Sequence, residues 1–297
     1  MKVLITGGSG FVGREVCRQL EAEGYSYRCL SRHRPNALPQ AFWFKGSILD
    51  PDALSLSMKG CEAIIHLVGI ISESPGQTFE RIHIEGTTQV LQAAHRAGIQ
   101  KILHMSALGA RPGAVARYHR SKWEAEVRVQ KSGLKATIFR PSIIYGPGDG
   151  FVTLFAQLGR WSPFLPVIGD GLKRLQPVAV EDVAACFVAA LKCSEAEGQT
   201  VDLCGSDSLT FLEVLNAIDK FMGRKRYRLK IPSPIATLQA CLLEFLCFTI
   251  LRCAPPLNRD QILMLAEDNI GDSLRSKRLF GVNLRPFSEG LSRFLKP

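Results

Sequence analysis

The chain has 297 residues, 46% of them hydrophobic and 22% charged, with a net charge of +10 at neutral pH and a pI near 9.3. Such a length buries an ample apolar core in one large domain or two modest ones, and these fractions exclude disordered and fibrous classes. The basic balance suits an anionic cofactor, substrate or lipid surface; no nucleic-acid-binding motif has the required spacing, so nucleic acid is not an expected partner. Nine cysteines without a CxxC pair, and a first strand beginning at Lys2, predict reduced thiols and a cytoplasmic location.

Residues 2–6 (KVLIT) are a short apolar run, followed by the glycines of TGGSGFVG and by FVGREVCRQLEAEG, whose apolar residues recur at helical spacing up to Gly24. Strands follow at 27–31 (YRCLS) and 41–46 (AFWFKG), then a helix opened by Asp50 and Pro51, and a buried strand at 63–69 (AIIHLVG). A long helix over 79–97, a strand at 101–106 (KILHMS), a helix over 118–130 ended by Gly133, and a strand and loop over 136–146 complete the first half. Apolar runs without polar alternation suit strands covered on both faces. Residues 1–150 therefore read as an α/β, Rossmann-type doubly wound parallel sheet that binds a dinucleotide. Residues 151–297 loosen into proline- and glycine-containing segments before the strand-like QPVAV and the helix EDVAACFVAAL, and read as a smaller, mostly helical substrate lobe, with some segments returning to the main sheet.

Gly7, Gly10 and Gly13 stand between the first strand and the first helix. There the first glycine permits a tight turn, the second lets backbone approach a pyrophosphate, and the third lets helix and strand pack closely. The helix starting near Phe11 aims unpaired N–H groups and its dipole at the phosphates. After the second strand come Ser31, Arg32, His33 and Arg34, with no carboxylate for a ribose 2′-hydroxyl. Arginine there suits a 2′-phosphate, so NADP(H) is the preferred cofactor, with NAD(H) as the alternative.

Tyr118 and Lys122 are four residues apart and share one helical face. A neighbouring ammonium favours the phenolate, which would lower the tyrosine pKa into a range useful for proton transfer, and the lysine is placed to grip the nicotinamide ribose. Ser106 ends the KILHMS strand, where ligand sites of α/β sheets form, and is placed to orient a substrate carbonyl.

TGGSGFVG, YHRSK and FRPSIIYGPGD together resemble the short-chain dehydrogenase/reductase superfamily in its extended or atypical, epimerase/dehydratase-like part. The stretch from HLVGIISESPGQTFERIHIEG to LHMSALGA, with QPVAVEDVA, resembles the branch containing the nucleotide-binding accessory subunit of respiratory complex I and its bacterial relatives; the resemblance spans roughly residues 1–222. It implies that Gly7, Gly10, Phe11, Val12 and Gly13 contact the pyrophosphate and Arg32 the 2′-phosphate. It further implies Ser47 and Ile48 along the adenine, Leu67, Val68 and Gly69 along the middle of the cofactor, and Pro141, Ser142 and Ile143 near the nicotinamide. Tyr118 would be the acid/base, Lys122 its partner and Ser106 the carbonyl orienter. Two positions depart from the family pattern. Ser47 in GSILD replaces the usual aspartate, so adenine recognition is expected to be weaker or to be supplied by Asp50. Leu175 in GDGLKRLQP occupies the place where nucleotide-sugar enzymes of the family carry an arginine, and Arg174, one residue away on a strand, faces the other side.

The sequence thus reads as an NADP(H)-binding oxidoreductase acting on a carbonyl or alcohol. The alternatives are an NADPH-binding factor that assembles or stabilises a membrane complex without turnover, and a nucleotide-sugar epimerase or dehydratase. GRKRYRLK (223–230) precedes an apolar run over 235–253 interrupted by Gln239, Glu244 and Arg252. A carboxylate at its centre disfavours a membrane span. The run is either an interfacial helix, with basic residues 224–253 attracted to anionic headgroups, or a buried helix of the substrate lobe. An interfacial helix would suit a lipophilic, quinone- or isoprenoid-like substrate. His66 and His104 read as core or cleft groups and His83, His95 and His119 as helix residues. No cluster has metal-ligand spacing, so no metal is expected, and Asp182 reads as a helix cap.

Overall fold

The computed structural model describes residues 1–34 and 39–295, so the last two residues assigned to the second lobe lie outside it. Strands β1 (Lys2–Thr6), β2 (Ser26–Ser31), β3 (Trp43–Lys45), β4 (Ala63–His66), β5 (Lys101–Met105) and β6 (Lys135–Pro141) form one parallel sheet. A late strand, β11 (Thr200–Leu203), adds to its edge, giving the order β11-β6-β5-β4-β1-β2-β3. The order reverses direction between β1 and β4, and that switch point is where ligand crevices open at the carboxyl ends of the strands.

Helices α1 (Phe11–Ala22), α2 (Pro51–Met58), α3 (Gly86–Arg96) and α4 (Arg117–Gln130) make the crossovers. Asp50 opens α2 by accepting from the amides of Asp52 and Ala53, so its carboxylate is committed to a helix cap and is not free for an adenine. Three expected boundaries move, the first being the strand expected over 41–46, which is confined to Trp43–Lys45 after a 3-10 turn at Gln40–Phe42. The strand expected over 63–69 ends at His66, because the chain then leaves the sheet to cross Gly7, whose added Cβ would lie 3.0 Å from Val68 N. The helix expected over 79–97 begins as a π-helical turn, Glu80–Glu85, before α3, and Gly86 at the junction leaves room for the Ile48 side chain.

The second lobe contributes β7 (Ile144–Tyr145) paired with β10 (Val178–Ala179), β9 (Arg174–Leu175) with β12 (Leu209–Thr210), and β8 (Phe164–Ile168) with β13 (Tyr227–Ile231). Its helices are α5 (Val152–Trp161), α6 (Val180–Ala190), α7 (Phe211–Phe221), α8 (Ser233–Leu246), α9 (Arg259–Leu265), α10 (Ser273–Phe280) and α11 (Phe287–Ser292). Two of these serve the main sheet. Val183, Ala184 and Phe187 of α6 share a core with Val12, Val16 and Leu20 of α1, and α10 packs Phe280 on Phe139 of β6. The lobe's own core gathers Val152, Leu165, Val167, Phe211, Leu215 and Phe287.

Leu175 is buried in that second core, while Arg174 is exposed and donates to Ser208, so neither presents a guanidinium to the cleft. Asp182 is a helix residue rather than the cap of α6. Its buried carboxylate accepts from the Arg285 amide at 2.9 Å and pairs with the Arg285 guanidinium at 3.0 Å, tying the chain before α11 to the sheet-facing helix. The reading of 235–253 as a buried helix does not hold either. Only Ala236, Ala240 and Cys247 of α8 and the π-helical turn after it (Cys247–Leu251) are buried, and Leu238, Leu242 and Phe245 point outward. Residues Ser233–Leu251 form the one helix among the described residues that is long and apolar enough to cross a membrane.

Candidate functional site

The glycine loop has the shape its spacing predicts. Gly7 sits at φ +82°, a region that side chains avoid, and an added Cβ at Gly13 would lie 2.2 Å from the Gly7 carbonyl oxygen and 2.5 Å from Gly8 Cα. Gly8, which the motif reading passed over, is closed from beneath by Cys29, whose sulfur would lie 2.5 Å from a Cβ there. Gly10 is the N-cap of α1 and supplies no side-chain cap, and no acidic residue occupies the first turn. The first amides of the helix therefore face the loop without an internal acceptor, which is the donor set a pyrophosphate fills. Phe11 is half-buried, whereas Val12 and Leu67 are core residues under the loop. These features fit the phosphates of a bound dinucleotide.

Along the rest of the crevice the expected residues have mixed settings. Arg32 is exposed just after β2, and its Nη1 donates to Gln77 Oε1 at 3.1 Å. Ser47 Oγ accepts from the Leu49 amide, and the Ile48 side chain is buried with Leu30 and Leu54. Pro141 ends β6, Ile143 packs on the core of the second lobe, and Ser142 Oγ is engaged by Asn269 Oδ1 at 2.5 Å.

Ser106, just after β5, and Tyr118 and Lys122 of α4 come to the same end of the sheet. Lys122, 3% exposed, donates from Nζ to the Met105 carbonyl at 2.7 Å, which sets its ammonium beside the residue before Ser106. Burial lowers its pKa to about 8, opposed by the carboxylate of Glu126 one turn along the helix. Glu126 is itself wholly buried and held by Arg140 of β6 through two hydrogen bonds of 2.9 and 2.6 Å. The Ser106 hydroxyl is buried and has no partner among the described residues. A buried hydroxyl left unpaired costs about 1–3 kcal/mol, so this atom is poised for an acceptor or donor brought by a ligand.

Tyr118 shares the helical face with Lys122, as the spacing predicts, but the expected lowering of its pKa does not occur. Burial raises the phenol to about 12, and Lys122, drawn to the Met105 carbonyl, does not offset it. The ring stands in an aromatic group: edge-on to Phe79 at 5.9 Å and to His83 at 5.7 Å, and tilted against His119 at 5.4 Å.

His83 belongs to this site, a role that its helical period gave no sign of. Its Nε2 accepts from the Ile70 amide at 3.0 Å, which leaves Nδ1 to donate to Ser121 Oγ at 2.8 Å, and Ser121 in turn donates to the Tyr118 carbonyl. Burial, with the Lys122 ammonium nearby, pushes the imidazole down to about 2, so it stays neutral. Gly69 lies between the two: an added Cβ would meet His83 Nε2 and Lys122 Nζ at 3.4 Å each.

Beside Phe79 and Arg117 opens a cavity of about 690 Å³, walled on its far side by Cys241, Phe245 and Phe248. Asp260 joins the two regions, since it lines the cavity and accepts from the Tyr118 amide at 3.3 Å. The lining is largely apolar, with ionic pairs at the rim: Glu73 with Arg117 and Glu244 with Arg259.

Known proteins share this architecture. The chain is 33% identical to a ceramide reductase of Caulobacter vibrioides over 239 residues, covering 78% of this chain and 74% of that protein. It is 31% identical to the mitochondrial NADH dehydrogenase [ubiquinone] 1 alpha subcomplex subunit 9 of Arabidopsis thaliana, covering 90% of this chain and 70% of that one. Its fold superposes on the UDP-glucose 4-epimerase of Thermotoga maritima with a TM-score of 0.78 at 21% identity, over 98% of this chain and 96% of the other. The profile of the NAD dependent epimerase/dehydratase family matches residues 3–204. With its glycine loop, parallel sheet and YxxxK helix in place, the chain belongs to the NAD dependent epimerase/dehydratase family, as an NAD(P)-dependent enzyme of the oxidoreductase or epimerase type.

Proposed function

We propose that the protein is an NADP(H)-dependent oxidoreductase that reduces a carbonyl, or oxidises the corresponding alcohol, on a lipophilic substrate at a membrane surface. The observation that carries this reading is the buried Ser106 hydroxyl, without a partner among the described residues, one residue after the Met105 carbonyl that holds Lys122, while Tyr118, one turn before Lys122 on the same helix, meets Phe79 of the apolar cavity. The bound nicotinamide supplies the hydride. Gly7, Gly10 and Gly13 hold the pyrophosphate on α1, and Arg32 holds the 2′-phosphate. Ser106 donates to the substrate oxygen and positions it, and Tyr118 delivers the proton to that oxygen as charge develops on it. A phenol raised to about 12 is a proton donor at neutral pH, which favours carbonyl reduction over alcohol oxidation. Lys122, still largely charged at pH 7, grips the ribose from its place beside the Met105 carbonyl.

The apolar cavity wall and the exposed apolar side of α8 support a lipophilic substrate, as does the likeness to a protein named a ceramide reductase. The exposed α8, with the basic residues before it, supports peripheral membrane contact through residues 224–253 from the cytoplasmic side. The buried Leu175 disfavours a nucleotide sugar, whose pyrophosphate would need a cation at that place.

The likeness to a complex I subunit favours a second reading, an NADPH-binding factor of a membrane complex without turnover. One experiment separates them: NADPH oxidation with a panel of long-chain ketones, and NADPH binding by fluorescence, on the wild type and Tyr118→Phe. Catalysis predicts turnover in the wild type that falls at least about 100-fold in the variant, with NADPH affinity within about threefold. Undiminished turnover in Tyr118→Phe removes the proton-transfer role. Tight NADPH binding with no turnover of any carbonyl favours the second reading.

A further inference from the structure

The two-stranded ribbon of β8 and β13 is amphipathic in an unusual direction. Leu165 and Val167 point into the core of the second lobe, whereas Phe164 and Pro166 are exposed, and across the ladder so are Tyr227 and Leu229. The register sets Tyr227 against Phe164 and Leu229 against Pro166, with the two rings 5.8 Å apart. An apolar outer face on a sheet is the reverse of the usual alternation and marks a contact surface.

The same face continues to α8. Ile168 and Ile231 have the parity of the exposed residues and pack against Ala236 and Ala240 of α8, so the helix lies on the outer side of the ribbon. It turns Leu238 and Leu242 outward, 63% and 62% exposed. On the other flank, Leu154, Leu158 and Trp161 are spaced along one side of α5, and Trp161 is 91% exposed three residues before Phe164.

Charge selects the occupant. Lys225, two residues before β13, and Lys230, next to Leu229 within it, are exposed, and Arg224 and Arg252 stand at the two ends of the segment. Glu244 is the one acidic residue between 224 and 253, and Arg259 neutralises it at 2.8 Å; residues 153–168 contain none. Apolar and aromatic side chains rimmed by cations, with Glu244 paired and no other carboxylate within either stretch, match an anionic headgroup layer over acyl chains.

We infer that the protein docks on an anionic phospholipid bilayer through a composite face, in which the outer side of the β8·β13 ribbon and Trp161 act together with α8. This rests on the membrane contact of α8 proposed above and extends it to strands and a helix outside that segment. Phe245 and Phe248, exposed on α8 and its π-helical turn, also line the cavity near Tyr118, so the docked face sets the cavity mouth against the lipid and a bilayer-resident substrate enters sideways.

The test uses the full chain and vesicles of phosphatidylcholine with or without phosphatidylglycerol, some carrying brominated acyl chains. The expected result is co-sedimentation with anionic vesicles and brominated-lipid quenching of tryptophan emission. The quenching should vanish in Trp161→Phe, which still sediments. Partitioning should fall at least about tenfold both in Phe164→Ser/Leu229→Ser and in Leu238→Gln/Leu242→Gln. Vesicle binding with Trp161 unquenched and the ribbon variant unimpaired overturns the composite face and leaves the α8 contact standing. Equal binding to uncharged vesicles overturns the choice of anionic lipid. A dimer in solution that the ribbon substitutions dissociate, without vesicle binding, assigns the face to a second copy and overturns the proposal. Turnover of a short-chain, water-soluble ketone should be unchanged in the ribbon variant, which keeps this outcome separate from the assignment of Tyr118.

Discussion

Lys122 Nζ is hydrogen-bonded to the carbonyl oxygen of Met105 at 2.7 Å, so the ammonium of α4 is anchored to the end of β5 and not to the tyrosine one turn before it. Its pKa falls from the usual 10.5 to about 8 because burial disfavours the charge. Between pH 8 and 10.5 the unfolded chain holds a proton that the folded chain has released, so this group makes folding stability rise with pH across that window. Below pH 8 it costs the folded state roughly 3 kcal/mol. Lys122→Met should therefore raise stability at pH 7 by about 1–2 kcal/mol after the loss of the Met105 hydrogen bond, and remove the alkaline rise, while weakening cofactor binding. Urea midpoints at pH 7 and 10.5 measure this; a variant that keeps the wild-type rise would show that another group causes it.

His104 lies within β5, stacked on His66 at 5.3 Å, and both of its ring nitrogens are buried without a partner among the described residues. Burial, with His66, Lys122 and His83 nearby, holds its pKa well below 6.5. As pH falls below 6.5 the unfolded chain takes up a proton that the folded one refuses, so stability is lost on the acid side. His66 and His83, lowered to about 3 and about 2, add to the same loss. His104→Leu should raise stability at pH 7 by about 1 kcal/mol and make the acid slope shallower by one proton. An unchanged slope of unfolding free energy between pH 6.5 and 4 would contradict the assignment.

The glycines of the loop are not equivalent. A Cβ at Gly13 meets backbone at 2.2 Å, which no rotamer change relieves, whereas one at Gly10 meets only the Gly7 carbonyl oxygen at 3.2 Å. Gly13→Ala should cost at least about 2 kcal/mol of stability and most of the NADPH affinity; Gly10→Ala should stay within about 1 kcal/mol of wild type. Thermal melts with and without NADPH distinguish the two. Equal losses would mean that the close approach of Gly13 to the loop backbone does not set the cost.

The glycine loop and β1–α1 were legible because their chemistry is local: a turn at positive φ and a helix packed at backbone distance admit few residues other than glycine, and the spacing states both. The doubly wound class follows from apolar runs that must be covered on both faces, whereas the strand order and the return of β11 come from pairings that no local pattern states. What stayed hidden depends on partners distant in sequence. Asp182 looks like a cap by position, yet its partner is Arg285, 103 residues on. His83 sits on a helix in any reading, and only the fold brings it to Gly69 and Lys122. The outward Phe164 and Tyr227 were invisible because the pairing of β8 with β13 decides which parity faces solvent. The phenol of Tyr118 was misjudged for a related reason: spacing places it near an ammonium, but burial and the Met105 carbonyl decide what that nearness does.

Arg32 gives the cofactor preference its sharpest test. It is exposed after β2, and the side chain it meets is Gln77, whose Oε1 accepts from Nη1 at 3.1 Å. That neutral contact neither neutralises the guanidinium nor competes strongly with a dianionic 2′-phosphate, so Arg32 should swing to the phosphate when NADPH binds. Arg32→Ala should weaken NADPH about tenfold, or about 1.4 kcal/mol, and leave NADH within about twofold. Gln77→Ala, which releases the arginine from its resting partner, should leave NADPH binding equal or slightly tighter. Fluorescence titrations of both cofactors against the three proteins measure the difference. Equal weakening of NADPH and NADH by Arg32→Ala would mean that the arginine serves the loop rather than the 2′-phosphate, and the preference would then rest on another cation after β2.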